Sequence, residues 1–449
     1  MDEGQVVQSA MHVRKADVAK FIADYKEIPA ARVGEVSVDP LLYEGDTVMF
    51  LVNYGEGWDL ISADKRAPMI LILSETGSAT VADLYDNPGK EIRMKTMARA
   101  IAALRNDPQA KFFLASRDAT DEPEEYISMW AAVAPEGIVF PSIETRAGEV
   151  WTCIGVEKTA SQITQQQTHL LKTKWDQGSP WNYYCPFITS NDPASGQCFT
   201  GCVPVAVGQL LHYLHSKLGV PQKTYGEVSA RETSLNGSSL YLTAANLNID
   251  EASYGSHWDA MALSGTASDY GSAGTKYASA LMVYLGYRLG AAYKKTSTGV
   301  KVDDIDTAIS SLLSDYFSIS CRSKIGKFDW QILPDNIVER KIPLLIVGSG
   351  HQPSLDNKLV SHTYVIDGYK EEYVTYKYTY IQSNTMPPQF KYTNKWVFED
   401  YIQINWGASG KYDNAWHTKI VEWQVGTGDN ILNFSYDGIQ ACFYDFSVK

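Results

Sequence analysis

Four short segments of this 449-residue chain hold residue types that together could break an amide bond. The chemistry would be attack of a sulfur anion on a carbonyl carbon. It needs a reactive cysteine, an imidazole to move the proton, a group to hold that imidazole, and a donor for the oxyanion. The chain supplies candidates in the order Gln177, Cys202, His362 and Asn405.

Cys202 stands in Thr200-Gly201-Cys202-Val203-Pro204. Gly201 allows a sharp turn, and Pro204 suits a first helical turn, where its missing N–H is harmless. Val203, Ala206, Val207, Leu210, Leu211 and Leu214 then recur at helical spacing. The pattern predicts a helix over 203–217 with Cys202 at its N-terminus. There the partial positive charge of the helix end, with a nearby imidazolium, can bring a thiol from about 8.5 to roughly 3.5–7.5. Cys198 lies in the preceding loop with nothing local to activate it. A Cys198/Cys202 metal pair has no matching ligand pair elsewhere.

Eight histidines could serve as base. His212 and His215 lie about 15 Å or more along the Cys202 helix, too far to reach its start. His12 belongs to the first third of the chain, His169 to a polar segment read as helical, and His257, His351 and His417 to loop-like sequence. His362 sits in Leu359-Val360-Ser361-His362-Thr363-Tyr364-Val365-Ile366-Asp367-Gly368, a strand ending in a turn signal. That position holds an imidazole rigidly at a cleft edge. Asn405 ends the strand Tyr401–Asn405, followed by Trp406 and Gly407. Its amide oxygen could fix the imidazole tautomer, with Trp406 packed over the bond to keep water out. Gln177, in Trp175-Asp176-Gln177-Gly178-Ser179-Pro180-Trp181-Asn182, could donate to the oxyanion beside the Cys202 N–H. Each segment alone also reads as ordinary structure: a buried thiol, a strand histidine, a strand end with a core tryptophan. Their joint order has no such reading.

The elements that must position these groups fall into two parts. A chain of this length exceeds one ordinary core. Residues 1–150 read as one unit, with a short amphipathic helix over 17–23, strands over 48–54, 58–62 and 68–73, a helix over 90–104 and an aromatic helix over 126–133. Residues 151–449 begin with Gln-rich sequence read as helix-compatible over 161–174. Helices follow over 203–217, 273–285 and 302–316, then Tyr-, Val- and Ile-rich strands after 342, with 373–392 alternating like a long hairpin. Helices first and an antiparallel sheet later is the α+β pattern.

Hydrophobic residues make up 45% and charged residues 20%, as in a globular protein. A net charge of −13 disfavours nucleic acid or an anionic membrane as partner. No run of about 18 apolar residues could span a membrane. The six cysteines are too sparse for a disulfide framework. The N-terminus lacks the basic and apolar regions of a secretory signal, which leaves a cytosolic protein or one whose signal has been removed.

These four motifs resemble the streptopain family of papain-fold cysteine peptidases, which are secreted bacterial proenzymes. Residues 175–182 resemble the family's Gln-Gly-x-Pro-Tyr-Asn segment, and Thr200–Val203 with the Gln209 helix its nucleophile segment. His362-x-x-Val365-Ile366-Asp367-Gly368 resembles its histidine strand, and Asn405-Trp406-Gly407 its Asn-Trp-Gly loop. More loosely, residues 51–58, 61–64 and 72–77 resemble the family's inhibitor-like prodomain. Three features depart from the family. Ser361 replaces a glycine, Ala408-Ser409-Gly410 stands where Trp-Gly-Gly is usual, and the hairpin between Gly368 and Asn405 is longer.

The resemblance implies a papain-like α+β fold behind a small α+β prodomain that covers the cleft until it is removed. It implies a catalytic set of Cys202, His362 and Asn405, with Gln177 at the oxyanion and Trp406 and Ser361 on the cleft wall. No metal or organic cofactor is required. The expected partners are protein or peptide substrates and the chain's own prodomain. The expected location is outside the cell or in the envelope of a bacterium. Two other readings stay open: a papain-fold amidase or transglutaminase, and a silent homologue that binds or inhibits a peptidase.

Overall fold

The computed structural model describes residues 11–449 except 27, 108–109, 115–129, 133–137, 139–141, 145–148, 188–195, 226–230, 236–237, 243–248, 250–252, 254, 296–297, 301–304, 326–329, 353–357, 383–384, 386, 412, 419–421, 428–429 and 436–438. Most of the expected 126–133 helix therefore lies outside the described residues; Trp130 to Ala132 are helical.

The N-terminal elements begin with helix α1 (Lys15–Tyr25) and an antiparallel meander: β1 (Ser37–Tyr43), β2 (Asp46–Asn53), β3 (Trp58–Ser62) and β4 (Ile70–Ser74). Strand side chains alternate between faces, and here both faces are covered. Phe50, Val52, Ile61 and Ile70 pack with Val18, Phe21 and Ile22 of α1. Met49, Leu51, Leu60 and Leu71 pack with Met94, Met97, Ile101 and Leu104 of α2 (Pro88–Asn106) on the other face. Arg66, paired with Asp64, donates to the carbonyls of Leu104, Asp107 and Ala110, which closes the far end of α2.

The rest of the chain supplies β5 (Val150–Gln167), α3 (Cys202–Leu218), α4 (Ala273–Arg288), β6 (Ile319–Lys324), β7 (Leu344–Gln352), β8 (Lys358–Gln382), β9 (Gln389–Asn405), β10 (Trp416–Thr418) and β11 (Ile439–Val448). α3 and α4 bury Leu210, Leu211, Leu281, Met282 and Leu285 in the largest core cluster. Strands β8 and β9 pair from Val365↔Asn405 to Gln382↔Gln389, the long hairpin that the alternation predicts. The fold is α+β.

One expectation fails in this region. The 161–174 segment is not helical: β5 continues through Gln167 and pairs along β8 from Ile381↔Thr152 to Tyr369↔Gln167. Its Gln- and Thr-rich sequence carries no apolar stripe at helical spacing, so pairing with β8 decides its conformation.

A single 12-stranded sheet joins the two halves of the chain in the order β1-β2-β3-β4-β10-β9-β8-β7-β11-β6, with β5 beside β8 and Ser142–Glu144 beside β5. The join is β4 against β10, through Trp416↔Leu73 and His417↔Ile72. Behind it, Tyr376, Tyr378, Tyr380 and Tyr401 of the hairpin share a core with Phe21 and Ile22 of α1.

Candidate active site

Cys202 is the first residue of α3. Gly201 before it has φ 95° and ψ 150°, and a Cβ there would lie 3.0 Å from the Thr298 carbonyl, so only glycine fits this turn. Thr200 donates its N–H to the Gln177 carbonyl at 2.9 Å, which ties the Gln177 loop to the cysteine loop. Gln177, Cys202, Ser361 and His362 all line one cavity of about 500 Å³. Cys198 is fully buried and does not line it.

Strand β8 carries His362 opposite Gly348 of β7. The ring is buried, and Nε2–H donates to the Trp406 carbonyl at 3.2 Å. That bond leaves Nδ1 as the nitrogen able to take a proton. Burial pushes the imidazole down to about 4, despite the carbonyl, with Lys90 adding a smaller push. The Cys202 thiol is pushed up by burial, against the Thr363 backbone N–H, which favours the thiolate. Among the described residues there is no hydrogen bond between Cys202 and His362. Both shifts favour the neutral form of their group.

Asn405 does not hold this imidazole. Its Oδ1 accepts from Gln209 Nε2 at 2.9 Å and from the Gly407 N–H at 3.0 Å. Its Nδ2 donates to the Thr173 carbonyl at 3.1 Å and to Gln209 Oε1 at 3.3 Å. The amide is saturated by a buried partner from α3, so the next residue's carbonyl, that of Trp406, meets the histidine. Gln209 was given no role at the site by the sequence. A buried polar side chain on an otherwise apolar helix face needs a partner, and that was the available signal.

Trp406 is 1% exposed; its ring centroid lies 6.2 Å from that of His362 and 5.2 Å from that of Tyr364. It forms the floor beneath His362 and lines a smaller cavity behind it with His417, Lys90 and Arg93. His417, expected in a loop, lies on β10. His169 follows β5 in irregular chain, with Nδ1 3.0 Å from Asp367.

The N-terminal elements reach into the main cavity. Asn87 caps α2, its side chain accepting from the Gly89 N–H at 2.8 Å, and Asp86, Asn87 and Pro88 line the cavity wall. Gly89 abuts both His362 and Trp406. The segment is held by Asp86, whose carboxylate meets Lys90 at 2.9 Å and Lys411 at 3.5 Å.

A helix-end cysteine and a strand histidine facing one cavity, on helices packed beside an antiparallel sheet, define a papain-like cysteine peptidase fold. The peptidase C10 family pattern matches residues 175–416, and the chain belongs to that family. Among solved structures it is similar to a fragment of prointerpain A from Prevotella intermedia, at 17% identity, covering 91% of this chain and 98% of that one with a TM-score of 0.51. It also aligns with active interpain A cysteine protease of the same organism, at 18% identity, over 63% of this chain and 95% of that one with a TM-score of 0.39. No curated protein matches. No helix among the described residues is long and apolar enough to cross a membrane.

Proposed function

We propose that this chain is the latent precursor of a cysteine endopeptidase working outside the cell or in a bacterial envelope, and that residues 1 to roughly 150–165 are its removable prodomain. The observation that carries the reading is the cavity wall that the N-terminal elements share with Cys202 and His362. Asp86–Pro88 line the cavity that Cys202 and His362 also line, and Gly89 presses on the histidine while the two groups remain unbonded.

Once the segment leaves, solvent and the facing thiol raise the imidazole's affinity for a proton, and Nδ1 takes the proton of Cys202. The thiolate attacks the peptide carbonyl and forms a C–S bond while the carbonyl π pair moves onto oxygen. The Cys202 N–H and Gln177 receive that oxyanion. His362 returns the proton to the leaving nitrogen as the C–N bond breaks. Water, deprotonated by the same imidazole, then cleaves the thioester and restores the thiol. The Trp406 carbonyl supplies the orienting acceptor throughout.

The test is incubation of purified full-length chain with casein, alongside Cys202→Ala and Cys198→Ala chains, and N-terminal sequencing of any shortened product. Activity should appear with shortening, and Cys202→Ala should stay inactive and uncut. Equal activity from uncut and cut chain would overturn latency. Activity retained by Cys202→Ala and lost by Cys198→Ala would overturn the choice of nucleophile.

A further inference from the structure

After the N-terminal segment leaves the cleft, Lys411 loses the ion partner the structure gives it. We propose that Lys411 selects an acidic side chain in the substrate, on the leaving-group side of the bond cut; the inference rests on the peptidase reading above.

The cavity wall shows a carboxylate already paired there. Asp86, Ala408 and Lys411 line the same cavity as Cys202 and His362, and Asp86 lies 3.5 Å from the Lys411 ammonium. Its other cation, Lys90, belongs to α2 and departs with it. Lys411 stays, with a side chain 61% exposed, on the loop that continues from Trp406.

The remaining charges in the cavity point the same way. Among the described residues that line it they are Lys294, Lys411 and Asp176. Asp176 is already engaged: Oδ1 accepts from the N–H groups of Gln177 and Gly178, and Oδ2 accepts from the Ser409 hydroxyl at 2.8 Å. Among the described residues, the open cleft of a chain with net charge −13 thus presents two ammonium groups and one committed carboxylate.

The side of the bond follows from the histidine. His362 must deliver its proton to the departing nitrogen, so the leaving half of the peptide lies on the His362 side of Cys202. The loop carrying Ala408 and Lys411 springs from Trp406, whose carbonyl touches His362. A partly exposed ion pair is worth little in absolute terms, so a preference of about two- to fivefold in kcat/KM is expected at moderate salt.

The experiment takes full-length chains that have been allowed to self-process: wild type, Lys411→Met and Lys411→Glu. Each digests a proteome-derived peptide library, and cut sites are read by mass spectrometry. Asp and Glu should be enriched about two- to fivefold at one of the first three residues after the cut in wild type. The enrichment should vanish in Lys411→Met, turn toward Lys and Arg in Lys411→Glu, and shrink in wild type at 0.5 M salt, where screening acts within about 4–5 Å. Identical cut-site profiles for wild type and Lys411→Met, or acid enrichment only before the cut, would overturn the proposal and leave the peptidase reading standing. No cleavage by any of the three would instead overturn the reading on which it rests.

Discussion

Gly89 and His362 lie so close that a Cβ built on the glycine would stand 2.4 Å from the imidazole Cδ2, and 2.9 Å from the Trp406 ring. No real Cβ tolerates that approach to two buried rings. In an ordinary helix a Gly→Ala change would stabilise by about 1 kcal/mol. Here it should push α2 away from the cleft, at an overpacking cost of about 1–3 kcal/mol. Gly89→Ala chain should therefore lose latency, with the lag before activity shortened about five- to hundredfold. A lag equal to or longer than wild type would mean that the start of α2 is not what restrains His362.

The saturated Asn405 amide makes its own prediction. Asn405→Ala strands the buried Gln209 amide and the Thr173 carbonyl, a loss of about 1–3 kcal/mol. The imidazole keeps its acceptor, the Trp406 backbone carbonyl. A lower Tm should then accompany a kcat reduced by less than tenfold. A kcat loss of a thousandfold at unchanged Tm would restore Asn405 to the orienting role its sequence position suggested.

Gln177 should behave as a transition-state donor. Gln177→Ala is expected to lower kcat about 10²–10³-fold with KM nearly constant, because the oxyanion exists only during attack. A rise confined to KM would assign Gln177 to ground-state binding.

His417 should weaken the seam between the two halves as pH falls. Its ring is 4% exposed and lies behind Trp406, in a cavity lined by Lys90 and Arg93 of α2 and by Asp83, whose carboxylate is bonded to Thr80. Burial first, then Arg93 and Lys90, push this imidazole well below its usual 6.5. With β4 and α2 departed, it would titrate near that usual value. The undocked state thus binds more protons between the two values. The contribution of His417 to docking is complete above about 6.5 and falls with pH below it, by up to about tenfold per pH unit. His362, lowered to about 4, runs in the same direction. Asp59, raised to about 6, and Glu399, also raised, run the other way, so the informative quantity is a difference between chains. In full-length Cys202→Ala chain, hydrogen-exchange protection at Ile72 and His417, corrected for intrinsic rates, should fall more steeply from pH 7 to 5 than in a chain also carrying His417→Leu. Parallel slopes would remove His417 from the account.

What could be read from the sequence was local chemistry. The glycine before Cys202, the proline after it and the apolar face of α3 constrain one another within about twenty residues, and they describe the helix correctly. The strand of His362 and the long hairpin were legible for the same reason, since alternation is a property of neighbours. Partners brought together by the fold were not. Asn405 and Gln209 are 196 residues apart, and nothing near either one names the other. His417 read as a loop residue because β10 is three residues long and exists only by pairing between β4 and β9. The 161–167 stretch read as helix-compatible because its polarity hides the register imposed by β8.

The sheet that runs through both halves has a further consequence. While β4 is in place, β10 is an interior strand, with β9 on one side and β4 on the other. Maturation would strip one neighbour away and turn β10 into a border, with the N–H and C=O groups of Trp416 and His417 newly facing water. Such a border can recruit the strand of another molecule. Here it is three residues long, too brief to template a stable addition, and one of its residues is a histidine that gains charge in acid. The same shortness that would let the halves part would leave this new border with little on which to aggregate.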